Sequence, residues 1–172
     1  MIVRVATVDD AKPVVDFLRQ FRAENLQTVL WHVHVPSVHE EARFLTRLKN
    51  ESGVMLVALK GGVIIGCLTA EIHQHPQLRH SCEFGLSVLQ AYRSQGIGSA
   101  LIAGLLQWST ENRIRRIELN VFSNNHDAIR LYQRLGFKEE GRKVQAVYVE
   151  PEYVDLIEMA FILSMEKSIV NF

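Results

Sequence analysis

The sequence predicts an α/β fold, a mixed sheet with helices on its faces, and three observations carry that reading. Strand-like and helical stretches succeed one another in the order β-α-α-β-β-β-α-β-α-β-β. Two capping signals and a long amphipathic run mark the helices. The 172 residues are 48% hydrophobic and carry no Pro/Gly/Ser-rich linker, repeat or low-complexity segment, so 1–172 is read as one domain with a substantial core.

Ile2, Val3 and Val5 suggest the first strand. Thr7 and Asp10 form a T-x-x-D variant of the capping box, so a helix is expected just after Thr7, with Pro13 in its first turn and Val14, Phe17, Leu18 and Phe21 as its stripe. A second box, Ser37 to Glu40, opens a short helix carrying Phe44, Leu45 and Leu48. Val54–Leu59, Gly61-Gly62 and Val63–Ile72 read as a hairpin, with Gly66 hinting at a bulge or a close backbone approach. A strand over Cys82–Leu89 follows the loop at Pro76. From about Gly96, Ile97, Leu101, Leu105 and Trp108 share one helical face. Arg116–Phe122 reads as a strand and Ala128–Leu135 as a helix ended by Gly136. Strands over Lys143–Val149 and Val154–Leu163 close the domain.

Charge and composition narrow the function. Nineteen basic residues balance nineteen acidic ones, which gives no electrostatic case for nucleic acid or a charged membrane. No apolar run reaches the roughly 18–20 residues of a membrane span. The N-terminus runs into a strand pattern rather than a signal peptide, and two cysteines without CxxC spacing make no disulfide framework, so the cytoplasm is the expected compartment.

Between a strand and an amphipathic helix stands Arg93-Ser94-Gln95-Gly96-Ile97-Gly98. Glycine lets a backbone approach a ligand closely, and a helix start offers unpaired N–H groups and partial positive charge, which together suit a phosphate. Steric need at a strand-to-helix turn accounts for such glycines equally well. The G-x-x-x-x-G-K-[ST] loop is absent, and Leu101 breaks the dinucleotide fingerprint at its last position.

A second block follows the next strand: Asn125-x-x-Ala128-x-x-Leu131-Tyr132-x-x-x-Gly136-Phe137. Together with Arg93-x-x-Gly96-x-Gly98, and an opening Arg4-x-Ala6-Thr7-x-x-Asp10, it resembles the GCN5-related N-acetyltransferase (GNAT) family over nearly the whole chain. The resemblance implies a mostly antiparallel central sheet with helices on both faces and a splayed strand pair that holds CoA. It implies acetyl-CoA as co-substrate, with backbone groups around Leu86 and Val88 pairing with its pantetheine arm as an added strand. The pyrophosphate would rest on N–H groups of Arg93, Ser94, Gln95, Gly96, Ile97, Gly98 and Ser99, and Asn125 would contact the CoA arm while also serving as an N-cap.

The resemblance further makes Tyr132 the general acid that protonates the CoA thiolate, against a plain interior tyrosine as the alternative. The family's base on the strand before that helix falls here on Asn120, which cannot accept a proton. Glu118 lies two residues earlier on the same face, too far back along the strand. Glu83, on the strand before the phosphate turn, is the candidate base; a hydrogen-bonded structural role, or proton loss through waters, are its alternatives.

His73, His75 and His80, with His32 and His34, are expected to line an acceptor pocket, and Trp31 either joins them or fills the core; no metal is expected, since no Cys or acid stands at ligand spacing beside them. Cys82 reads as a small buried hydrophobe, so transfer is expected in a ternary complex. The closing Glu152-Tyr153-Val154-Asp155 and Met159 resemble family members that acetylate amino acids, phosphinothricin-like compounds or ribosomal-protein N-termini. A small amine or peptide N-terminus is therefore the expected acceptor, and a homodimer the expected assembly. A CoA-binding sensor without catalysis is the alternative.

Overall fold

The computed structural model describes residues 1–24, 26–28 and 34–164, without the side chains of Glu51 and Ser52. Trp31 and His32 lie outside these residues. Strand β1 (Ile2–Val5) leads into a single 3₁₀ turn, Val8–Asp10, before helix α1 (Ala11–Ala23). The turn is held by Asp10, whose carboxylate accepts the Thr7 N–H at 2.7 Å and both arms of the Arg4 guanidinium at 2.7 Å. That is the physical content of the Arg4…Thr7…Asp10 pattern: one acid fixes the strand, the turn and the helix entry. The Arg4 guanidinium holds the Asp10 carboxyl down at about 2.

Helix α2 (Val38–Arg47) opens on the second box, with Ser37 N–H donating to Glu40 at 2.7 Å and Glu40 N–H donating to Ser37 at 3.2 Å. Strands β2 (Gly53–Lys60) and β3 (Val63–Ile72) form the hairpin. Its register shifts at Ala58/Leu59, so Ile65 is the extra residue of a bulge beside Gly66. Both readings of Gly66 hold, because a Cβ there would also lie 3.0 Å from Ile97. Strand β4 (Ser81–Val88), helix α3 (Ile97–Glu111), strand β5 (Arg116–Phe122), helix α4 (His126–Arg134) and strands β6 (Lys138–Val149) and β7 (Glu152–Ile162) complete the chain.

The sheet runs β1-β2-β3-β4-β5-β7-β6, antiparallel throughout except for β4 and β5. One face carries Leu56, Leu68, Phe84, Ile117 and Met159 and packs on Leu101, Ile102 and Leu105 of α3 and Tyr132 of α4. The opposite face carries Met55, Val57 and Cys67 and packs on Val14 and Phe17 of α1 and Leu45 of α2. Trp108, expected on the buried stripe of α3, is only partly buried, and Ile102 takes the central place.

Strand β6 begins at Lys138, five residues before the sequence pattern suggests. Its first residues, Lys138-Glu139-Glu140-Gly141-Arg142, carry no strand signature because β6 is an edge strand with mostly exposed side chains. Its irregular stretch after Lys143 is pinned by Asp155 of β7, which accepts the Gln145 N–H at 2.8 Å and pairs with Arg142 at 3.2 Å.

Candidate active site

The centre of the sheet is incomplete. β4 and β5 share only the pairs Ser81↔Arg116, Cys82↔Ile117 and Glu83↔Glu118. β4 nevertheless stays in register with β3 as far as Val88, and β5 with β7 as far as Phe122. The strands therefore part beyond Glu83 and Glu118. Which peptide groups face the gap follows from the ladder. Leu89 N–H donates to Ile65 and His73 N–H to Ser81, so the odd-numbered peptides of β4 point at β3. Those of Phe84, Leu86 and Val88 then point away from β3, into the gap. Ser123 N–H donates to Asp155 and Leu163 N–H to Arg115, so on β5 it is Asn120 and Phe122 that face inward. The Val88 carbonyl already accepts Nε of Arg93 at 3.0 Å.

At the wide end of the gap lies the turn into α3. Gly96 is its N-cap with φ of 79°, and Ser94 has φ of 58°, so the chain coils left-handed twice before the helix. Such a turn directs successive N–H groups to one side, as an anion requires. A Cβ on Gly96 would meet nothing within 4 Å, whereas one on Gly98 would lie 2.9 Å from Leu131 of α4. The two glycines thus do different things: Gly96 sets the turn, and Gly98 lets α4 approach. Ser94, Gln95 and Gly96 are exposed, Ile97 is buried, and Ser99 receives Arg134 at 3.5 Å. The Arg93 side chain is turned back onto Val88 and Glu24, so what this residue offers a ligand is its backbone.

Tyr132 stands on the α3/α4 face. Its ring meets Phe84 edge-on at 5.9 Å and Phe137 at 5.9 Å, and Phe137 meets Phe161 at 5.5 Å. Each aromatic pair is worth about 0.5–1.5 kcal/mol beyond its area, so the phenol sits on a firm base. Burial pushes the Tyr132 phenol well above its ordinary value, and no described residue hydrogen-bonds its hydroxyl.

Glu83 stands on the other face, exposed, with Nδ2 of Asn120 donating to it at 2.7 Å across the closed end of the gap. Asn120 therefore holds the Glu83 carboxylate from the neighbouring strand. Lys143 pairs with Glu158 at 2.7 Å on the same face, and Glu158 is the register partner of Asn120. Asn125 is the N-cap of α4, accepting from Ala128 N–H at 3.3 Å, and its amide donates to the Thr28 carbonyl at 3.2 Å. It ties the segment after α1 to the far side of the gap.

The histidines do not form one cluster. His75 caps a 3₁₀ turn by accepting the Gln77 N–H, and the His80 carbonyl accepts the N–H groups of Arg115 and Arg116. His73 instead bonds Glu118 at 2.5 Å, and Arg116 bonds Glu118 at 2.7 Å and reaches Glu140. Sequence spacing does not reveal this group, since His73 and Glu118 come from strands β3 and β5 with β4 between them. Among the described residues no set of three His, Cys, Asp or Glu side chains is gathered as a metal would need. Burial pushes the Cys82 thiol up to about 12, which leaves no thiolate to act as a nucleophile near neutral pH.

A sheet that opens between parallel strands beside an exposed helix start offers backbone groups to an extended ligand and to an anionic group at its end. The model of the acetyltransferase (GNAT) family matches residues 17–137. The L-amino acid N-acetyltransferase AaaT of Escherichia coli (strain K12) is 35% identical over 116 residues, 66% of this chain and 72% of that protein. A GNAT-family acetyltransferase from Streptococcus pneumoniae superposes with a TM-score of 0.86 at 26% identity, covering 95% of this chain and 99% of that one. The acetyltransferase yncA from Salmonella typhimurium, solved with acetyl-CoA, shares the fold with a TM-score of 0.85 at 19% identity, covering 96% and 95%. The chain belongs to the GNAT family and is an N-acetyltransferase with acetyl-CoA as the donor.

Proposed function

We propose that the acceptor is the primary amine of an amino acid, another small amine or a peptide N-terminus, acetylated by direct attack within a ternary complex. The observation that carries this reading is the placement of Glu83 and Tyr132 on opposite faces of one gap lined by the peptides of Phe84, Leu86 and Val88. A pantetheine arm lying in the gap as an added strand presents its thioester between the two residues. Its pyrophosphate rests on the backbone turn from Arg93 to Ser99, and Asn125 flanks the arm from the start of α4.

An ammonium on the α1/α2 side loses a proton to Glu83, directly or through one water. The neutral amine forms the new C–N bond at the thioester carbon. The C–S bond then breaks toward the α3/α4 side, where Tyr132 supplies the proton that turns the thiolate into free CoA thiol, and the second proton, shed by the acylated nitrogen, returns through water to the Tyr132 phenolate. The relation to an L-amino acid N-acetyltransferase supports a small acceptor. The balanced charge of the chain gives no case for a nucleic-acid partner, and no helix among the described residues is long and apolar enough to cross a membrane. The reading places the enzyme in the cytoplasm as a homodimer, for which the open edge of β6 offers pairing groups.

The competing reading, a CoA sensor without catalysis, leaves Tyr132 and Glu83 without tasks. Release of CoA thiol from acetyl-CoA against free amino acids, polyamines, lysine peptides and N-terminal peptides decides between them. Acceptor-dependent release names the acceptor class. Acetyl-CoA binding with no release on any amine supports the sensor.

A further inference from the structure

We propose that His73, oriented by Glu118, receives the proton that Glu83 takes from the acceptor amine and hands it to bulk water. This rests on the acetyl-transfer reading above and extends it to the fate of the proton, which must leave the site in every turnover.

Register puts Glu83, Glu118 and His73 on one face of the sheet at the closed end of the gap. Glu83 and Glu118 are register partners across β4 and β5, so their Cα atoms lie at about the inter-strand spacing of 4.8 Å. His73 continues β3 as the hydrogen-bonded partner of Ser81, which makes it the diagonal neighbour of Glu83, at about 7–8 Å between Cα atoms. Its ring reaches over β4 to place Nε2 at 2.5 Å from Glu118.

The tautomer follows from the partners. Partial burial works to raise the Glu118 carboxyl, but hydrogen bonds from His73 and Arg116 hold it below the usual carboxylate range. It is therefore a carboxylate, which only accepts, and Nε2 must carry the proton. In the neutral ring Nδ1 then carries the lone pair, and no described residue donates to it. This is the arrangement by which a carboxylate makes an imidazole a directed proton acceptor. The ring is 32% exposed, so the imidazolium can discharge to solvent.

The surrounding charges suit the step. Facing His73 are Glu83 from β4, Glu118 and Arg116 from β5, and Glu71 from its own strand; Glu71 is held by Arg47 of α2, and Arg116 also by Glu140 of β6. The balance is simple: Glu83 gains the amine proton, Nδ1 takes it from Glu83 through one water, and the imidazolium releases a proton to bulk. Glu118 is a positioning residue, since it acts through the ring.

The test uses the full chain. Imidazole ¹⁵N NMR is expected to show neutral His73 protonated at Nε2, and Glu118→Gln to lose that preference. Against an accepted amine, His73→Ala is expected to lower kcat about tenfold or more and to shift the acidic limb of the pH profile, with acetyl-CoA affinity unchanged. Added imidazole is expected to restore turnover. His73→Gln serves if the alanine variant melts early. A neutral ring protonated at Nδ1, or variants with the wild-type acidic limb and no imidazole response, would overturn the proposal while leaving acetyl transfer intact. A wild-type chain that binds acetyl-CoA but acetylates no amine would remove both.

Discussion

Replacing Tyr132 by phenylalanine removes one oxygen and leaves the ring on its supports. Phe84 at 5.9 Å and Phe137 at 5.9 Å still flank it, and no hydrogen bond to a described residue is lost, so stability should change by no more than about 1 kcal/mol. The chemical effect is larger. A positioned general acid contributes about 10²–10⁴ in rate, which is roughly 3–5 kcal/mol of barrier. Burial raises the Tyr132 phenol, so it keeps its proton through neutral pH, as the proposed acid role requires. Thiol release from acetyl-CoA, calorimetric affinity for acetyl-CoA and a melting curve should be read on the same preparations. The expected result is kcat down at least about a hundredfold, with Kd and Tm nearly unmoved. Wild-type turnover in a folded Tyr132→Phe variant would refute the acid role, and a rise in Kd together with a fall in Tm would make Tyr132 a packing residue.

Glu83→Gln keeps an oxygen for Asn120 but cannot take a proton, so kcat should fall more for lysine-type amines than for α-amines of lower pKa; equal loss on both would point to structure instead. Gly98→Glu should weaken CoA binding strongly by crowding Leu131 and repelling the pyrophosphate, whereas Gly98→Ala, which needs only a shift of the Leu131 tip 2.9 Å away, should lose far less by calorimetry. Asp10 has a folded value of about 2 against about 3.9 unfolded, so its pairing with Arg4 stabilises above pH 4 and is lost as pH falls through 2. With Arg4 partly in solvent, Asp10→Asn should cost about 2 kcal/mol at pH 7 and flatten the acid arm of a stability curve between those pH values.

The fold was legible because its signals are local. Capping boxes, the Gly61-Gly62 turn and the stripes of α1 and α3 each declare an element within a few residues. β6 was legible only in part, because an edge strand with mostly exposed side chains needs no apolar alternation, and charge conceals it. Within the site, the glycines of the turn at Gly96 were visible directly, while the peptides of Leu86 and Val88 were named through the family resemblance, and the β3–β4 ladder turns both toward the gap. The side chains were harder. That Arg93 folds back on Glu24, that Asn125 reaches Thr28 and that Asn120 holds Glu83 all depend on contacts between distant segments. The His73 and Glu118 pair had no sequence signal, because its partners are 45 residues apart and meet only when β4 is laid between them.

The parting of β4 from β5 also answers a problem of self-association. Unpaired ladder groups on the outside of a sheet invite any extended polypeptide, and an edge as long as β4 would be a hazard there. Here the unsatisfied peptides lie in the middle of the sheet, closed at one end where Glu83 pairs with Glu118 and covered on one face by α3 and α4. A ligand must therefore enter lengthwise, from the end where the two strands have parted, and a chain approaching the sheet from outside meets none of these groups.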